Sequence, residues 1–187
     1  MPTNALFPNS RDPGATVWDD VTQAAFGRRL YSTSGGVGYD YTENAIEFDS
    51  GGSISNLNDR ISWSIQFPHA ARLDSMMMPH IHFEQTSTNV IEFTHQYRIQ
   101  SNGTAKTTAW TTATSDTATD AVFTYPGSGT FNQIIRFPSI DMTGKNISAT
   151  IDFRLARTDA TGGVILVKFI DSHVEFDSGG SREEFVK

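Results

Sequence analysis

The chain contains no cysteine, which excludes a disulfide framework, a zinc ribbon and a thiol nucleophile. Charge is scarce too: Asp, Glu, Lys and Arg make up 19% of its 187 residues, below the roughly 25% of an ordinary soluble domain. The balance is acidic, with 14 Lys and Arg against 21 Asp and Glu. Affinity for phosphates comes largely from Lys and Arg, so no direct nucleic-acid contact is expected, and Arg28-Arg29 is too small a patch to change that. Long apolar runs are missing. The strongest, Val164 to Ile170, is interrupted by Lys168 and falls far short of the roughly 20 residues that span a bilayer, so no membrane contact is expected. Residues 1–17 carry one Arg and three Pro instead of the charged-then-apolar pattern of a signal peptide, and a soluble protein made without export is expected.

What is present is strand composition. Thr, Ile and Phe are abundant, and β-branched and aromatic side chains fit a pleated, half-buried surface. At 37% hydrophobic the chain can bury a core without metal or disulfide, and its length suits one domain, or one domain with an arm. Pro2, Pro8 and Pro13 deny backbone donors and oppose a helix, so the N-terminus reads as an extended arm. Phe7, Val17 and Trp18 would be wasted on a free tail, and the arm is expected to dock on its own domain or on a neighbouring subunit. Residues 19–26 suit one or two helical turns, with Asp19 and Asp20 at the positive end of the dipole.

From about residue 44 the pattern has period two. Ile61, Trp63, Ile65 and Phe67 share one face; Ile91, Phe93, His95, Tyr97 and Ile99 another; Ile147, Ala149, Ile151, Phe153 and Leu155 a third. Polar residues stand between them, the mark of antiparallel strands wet on one side. Phe131–Phe137 and Val164–Phe176 are further strands. Asn102-Gly103 suits a type I′ hairpin turn that pairs 90–101 with about 105–112, and Gly162-Gly163 folds 147–157 back on 164–176. The expected fold is all-β: a jelly-roll-like antiparallel β-sandwich over 31–187, preceded by an extended arm over 1–30. Glu47 to Ser53 recurs letter for letter at Glu175 to Ser181. An acidic loop that holds a cation or partner is one reading; a good strand-exit turn used twice is the plainer one.

For chemistry, the best constellation is Pro79-His80-Ile81-His82-Phe83-Glu84, where a strand would aim His80, His82 and Glu84 to one side. Two imidazoles and a carboxylate are a donor set for Zn²⁺ or a non-haem metal, with His69, His95 and His173 as further candidates. A cupin would share the His-x-His, but it places its Glu three to four residues further on and a Gly beyond; here Glu84 follows after one residue and the next Gly is Gly103. The plainer reading is a set of hydrogen bonds along a sheet face or subunit contact, and no metal or cofactor is expected. There is no Gly-x-Ser-x-Gly elbow, and Gly35-Gly36-Val37-Gly38 lacks the Lys of a phosphate loop. Asp19-Asp20 cannot be placed as a glycosidase pair from sequence. Trp63, Tyr97 and Trp110 suit core packing or sugar stacking. Met76-Met77-Met78 reads as a loop before the histidine strand, either an adaptable contact surface or a cover over the end of the sandwich. The candidate interaction residues are Phe7, Val17, Trp18, Met76, Met77, Met78, His80 and His82.

Thr16-Val17-Trp18-Asp19-Asp20, then a Gly-rich segment, Phe67-Pro68-His69, Pro79-His80-Ile81-His82-Phe83, His173-Val174-Glu175-Phe176-Asp177 and the tail Gly180-Ser181-Arg182-Glu183-Glu184 follow one another along the chain. This order resembles a family of small structural proteins of tailed-bacteriophage virions, which carry Thr-Val-Trp-Asp-Asp near the start, a Pro-His, a Pro-His-x-His-Trp strand and a Gly-Ser-Arg tail. Phe83 stands where that family has Trp, and residues 103–146 are the least anchored. The resemblance implies a virion component assembled in the host cytoplasm and without catalysis. A capsid decoration or cement protein fits the apolar arm; a tail or fibre-anchoring adaptor is the alternative, and a carbohydrate-binding sandwich is a third reading. The expected partners are the major capsid protein or other virion proteins and further copies of the chain, with a trimer as one arrangement.

Overall fold

Alternating apolar residues can bury one side only if the chain is extended and paired, and paired strands form the framework of this structure. A computed structural model describes residues 17–20, 23–24, 36–85, 88–122, 131–146, 148–161 and 163–176. It contains β1 (Val17–Asp20), β2 (Gln23–Ala24), β3 (Val37–Asp40), β4 (Ala45–Phe48), β5 (Arg60–Gln66), β6 (Met76–Gln85), β7 (Glu92–Gln100), β8 (Thr111–Asp116), β9 (Phe131–Arg136), β10 (Ile140–Asp141), β11 (Thr150–Arg157) and β12 (Ile165–Phe176), with no helix among the described residues.

The strands form two antiparallel sheets, a β-sandwich. The smaller runs β5-β11-β7-β8. The larger runs β10-β6-β12-β4-β3, with β9 also on β6 and β1 and β2 also on β12. The central four of the larger sheet are thus β4-β12-β6-β9, and the path β4 to β12 crosses repeatedly from one sheet to the other. That is jelly-roll winding, two Greek keys wrapped around one core.

The core lies between the sheets. Phe48, Ile81, Phe83, Ile135 and Val167 from the large sheet meet Phe93 and Leu155 from the small one. Phe48 and Phe93 make an edge-to-face contact with centroids 5.6 Å apart, a favourable aromatic geometry. A second cluster, with Phe67, Met77, Met142, Ile151, Phe153 and Val174, fills the other end. The expected inward faces of 60–67, 90–100 and the described part of 147–155 are the observed ones.

Arg157 is the largest fully buried side chain. Its Nε and Nη2 donate to the two carboxylate oxygens of Asp159 at 2.8 and 2.9 Å, and Nη1 donates to the carbonyls of Phe48 and Gly163. The pair joins β11 to the end of β4 across the sandwich. Beside it, a Cβ on Gly52 would come 2.7 Å from the Arg157 carbonyl oxygen, so the first Asp-Ser-Gly-Gly turn needs its glycine for close approach. The second copy, from Asp177 onward, lies outside the described residues.

Four expectations are corrected. Val17–Asp20 and Gln23–Ala24 are strands rather than helical turns: β1 pairs with Phe176–His173 and β2 with Phe169–Ile170. A sheet edge offers a ladder of backbone partners, whereas one or two isolated helical turns are poorly nucleated. Met76-Met77-Met78 begins β6 and is not a loop. The hairpin after β7 pairs with Thr111–Asp116 instead of 105–112; in the turn only Gly103 has positive φ, so it is not type I′, and a ten-residue loop, 101–110, follows. Finally, β11 does not fold back on β12. It pairs with β5 and β7, and the segment holding Gly163 crosses between sheets.

Candidate functional site

His80 and His82 stand two residues apart on β6, so both leave the sheet on its outer side while Ile81 and Phe83 enter the core. Opposite them runs β12, with Asp171 paired to His80, Phe169 to His82 and His173 to Met78. Between Val167 and Phe169 the register shifts, and Lys168 is the extra residue of a β-bulge. The bulge decides which side chains meet. Before it, Ile165 and Val167 point inward; after it, Ile170, Ser172 and Val174 do. Without the shift, Asp171 and His173 would fall on the core face.

Three side chains converge. One ligand-type atom from each of His80, His82 and Asp171 lies within 4.8 Å of the others. Asp171 Oδ2 is 3.2 Å from His82 Nε2 and 3.9 Å from His80 Nε2. His80 and Asp171 are closed off, with side chains 6% and 8% exposed, while His82 is 35% exposed. His80 Nδ1 faces the Met78 carbonyl oxygen at 3.5 Å. A carbonyl only accepts, so a hydrogen bond there is donated by Nδ1–H, which leaves Nε2 on the side of Asp171. Burial pushes the His80 imidazole below its ordinary range; the Met78 carbonyl opposes this, His173 and His82 add to it, and Asp171 opposes it weakly. The other Asp171 oxygen, Oδ1, is buried without a hydrogen-bond partner among the described residues. His173, exposed, sets its ring 4.6 Å from that of His80 at a tilt of 59°, and Phe169, half exposed, stands edge-on to His82.

The histidine strand is therefore where the sequence places it, but its carboxylate is different. Glu84 turns to Lys168, which it meets at 3.4 Å and which also binds Glu43 at 3.1 Å. Asp171 takes the position beside the imidazoles. His69 is bound to Ser148. His95 is on β7 of the other sheet, 2% exposed among Trp63, Phe137 and Phe153. Asp171 was missed, yet Asp171-x-His173 mirrors His80-x-His82 in spacing, a signal that paired strands would have brought together. Of the expected contact residues, Met77 is in the core and Met76 is exposed at the start of the site's own strand; Val17 and Trp18 lie on β1, and Phe7 lies outside the described residues. Trp63 and Tyr97 pack on the core. Trp110 lies instead on the small sheet's outer face, between the guanidinium groups of Arg98 at 4.5 Å and Arg154 at 3.7 Å.

Compared with known proteins, the chain matches no family model, no curated protein and no solved structure. Its function is to be read from its own residues.

Proposed function

We propose that the chain is a non-enzymatic structural protein of a tailed-bacteriophage virion, and within it a decoration or cement protein of the head. The observation that carries the reading is a convergence. The Val-Trp-Asp-Asp segment, the Pro-His-Ile-His-Phe segment and the His-Val-Glu-Phe segment are remote in sequence but occupy β1, β6 and β12, with β12 paired on one side to β6 and on the other to β1. Three of the motifs that resemble the virion family thus lie on adjacent strands of one sheet, the behaviour of a shared structural unit more than of three unrelated turns. The jelly roll agrees with the reading without deciding it, because viral capsid domains, lectins and cupins all use it.

The arm fits the same role. An extended segment that adds a strand to a sheet is a common means of joining proteins, and β1 shows that this arm can pair with β12. The partners are the major capsid protein and further copies of this chain. Quantitative mass spectrometry of purified heads and purified tails tests the reading. Many copies per particle, all in the head fraction, are expected. A few copies in the tail fraction would replace the capsid role with the adaptor role, and absence from both would end the virion reading.

A further inference from the structure

We propose that the outer face of the β6–β12 strand pair binds one divalent transition-metal ion of the zinc type, held by the Nε2 atoms of His80 and His82 and a carboxylate oxygen of Asp171. This goes beyond the virion reading and does not depend on it.

Three features of the geometry point there. First, a tetrahedral ion with donors at about 2.0–2.1 Å sets those donors roughly 3.4 Å apart. The observed separations of 3.2 and 3.9 Å to Asp171, and the 4.8 Å limit for the whole set, surround that value. Second, the surroundings already orient a ligand. Metal-bound histidines almost always donate their other ring N–H to a carbonyl or carboxylate, and His80 Nδ1 faces the Met78 carbonyl. Third, Asp171 is more than nine-tenths buried with Oδ1 unpartnered. A buried carboxylate lacking full hydrogen bonding is costly, and a cation at Oδ2, the oxygen that faces both imidazoles, would offset the buried charge.

The donor chemistry selects the ion. Imidazole with carboxylate suits Zn²⁺ and its first-row neighbours, whereas Ca²⁺ and Mg²⁺ require oxygen ligands. Three protein donors leave a coordination position for water or for a side chain of a partner. The ion would staple the two longest strands of the large sheet. The bulge at Lys168 is what makes it feasible, since it alone brings Asp171 to the side of the histidines; bulges commonly re-aim side chains next to sites.

The test is calorimetric titration of the full chain, stripped with chelator, with Zn²⁺ alone. Saturable uptake of one ion per chain is expected, undisturbed by excess Mg²⁺ or Ca²⁺ and accompanied by a rise in Tm. His82→Gln and Asp171→Asn should each weaken binding roughly tenfold or more, while Glu84→Gln, at the carboxylate that points to Lys168, should leave it unchanged. Asp171 is buried, so its variant's fold is checked by circular dichroism; the half-exposed His82 supplies the independent variant if Asp171→Asn does not fold. No saturable uptake by the folded chain would overturn the proposal, as would uptake that His82→Gln leaves intact.

Discussion

His95 lies 2% exposed on β7, enclosed by Trp63, Tyr97, Phe137 and Phe153, with Nδ1 buried and unpartnered. Burial pushes its pKa down to about 3. The folded protein thus holds it neutral, while the unfolded chain takes up a proton below about 6.5. Its contribution to stability is whole above pH 6.5 and is lost as pH falls towards 3, at about 1.4 kcal/mol per pH unit. His95→Phe keeps an aromatic in the same contacts and removes the proton. Denaturant unfolding at pH 7, 5 and 4 should show a flatter profile for the variant than for the parent, and parallel profiles would contradict the assignment. Asp159 acts in a lower window. Burial raises its pKa, but the hydrogen bonds from Arg157, Thr161 and the Glu92 backbone outweigh this and bring it to about 2. Its contribution is complete above its ordinary value near 3.8 and disappears as pH falls through 2. Arg157→Met leaves Asp159 buried without its bidentate partner and should cost about 3–5 kcal/mol, read as a lower denaturation midpoint.

At the scale of elements, strands were legible where plain alternation runs unbroken. Ile61, Trp63 and Ile65 on β5 and Ile151, Phe153 and Leu155 on β11 show their inward face directly, because a strand buried on one side must alternate. Alternation fails across Lys168, since one extra residue exchanges the faces of everything after it; that is why Asp171 was not visible beside the histidines and Glu84 was. Strand partners were less legible than strands. Gly163 has φ of 78° and marks a turn, but a turn residue does not say whether the chain returns to its own sheet or crosses to the other. The loop 101–110 has its own anchor. Gln100 accepts from the Thr107 backbone at 2.7 Å and donates to Thr104 and Ala105, and the guanidinium groups of Arg98 and Arg154 lie over the Trp110 ring. Arg98 is itself fixed by Asp152 at 2.7 Å. Each exposed cation–π contact contributes about 0.5–1 kcal/mol, so Trp110→Ala should cost about 1–2 kcal/mol and increase amide exchange in β8, while β5 is unaffected.

Across the whole molecule, the jelly roll brings three of the sequence motifs onto adjacent strands of one sheet, β6, β12 and β1. The outer face of β6 and β12 carries Met76, His80, His82, Phe169, Asp171 and His173, and β1 extends that sheet beyond β12. Exposed Met76 and Phe169 add apolar area next to a polar cluster, a combination suited to a contact with another protein. The motif residues were legible one by one; their adjacency was not, because it depends on strands that pair across 82 to 159 positions of sequence. An electron cryomicroscopy map of the phage head tests the capsid role most directly. Jelly-roll density on the outer shell that fits this sandwich, with the β6–β12 face against a neighbouring subunit, is the expected result. A shell with no such density, or with the chain found only at the tail vertex, would contradict it.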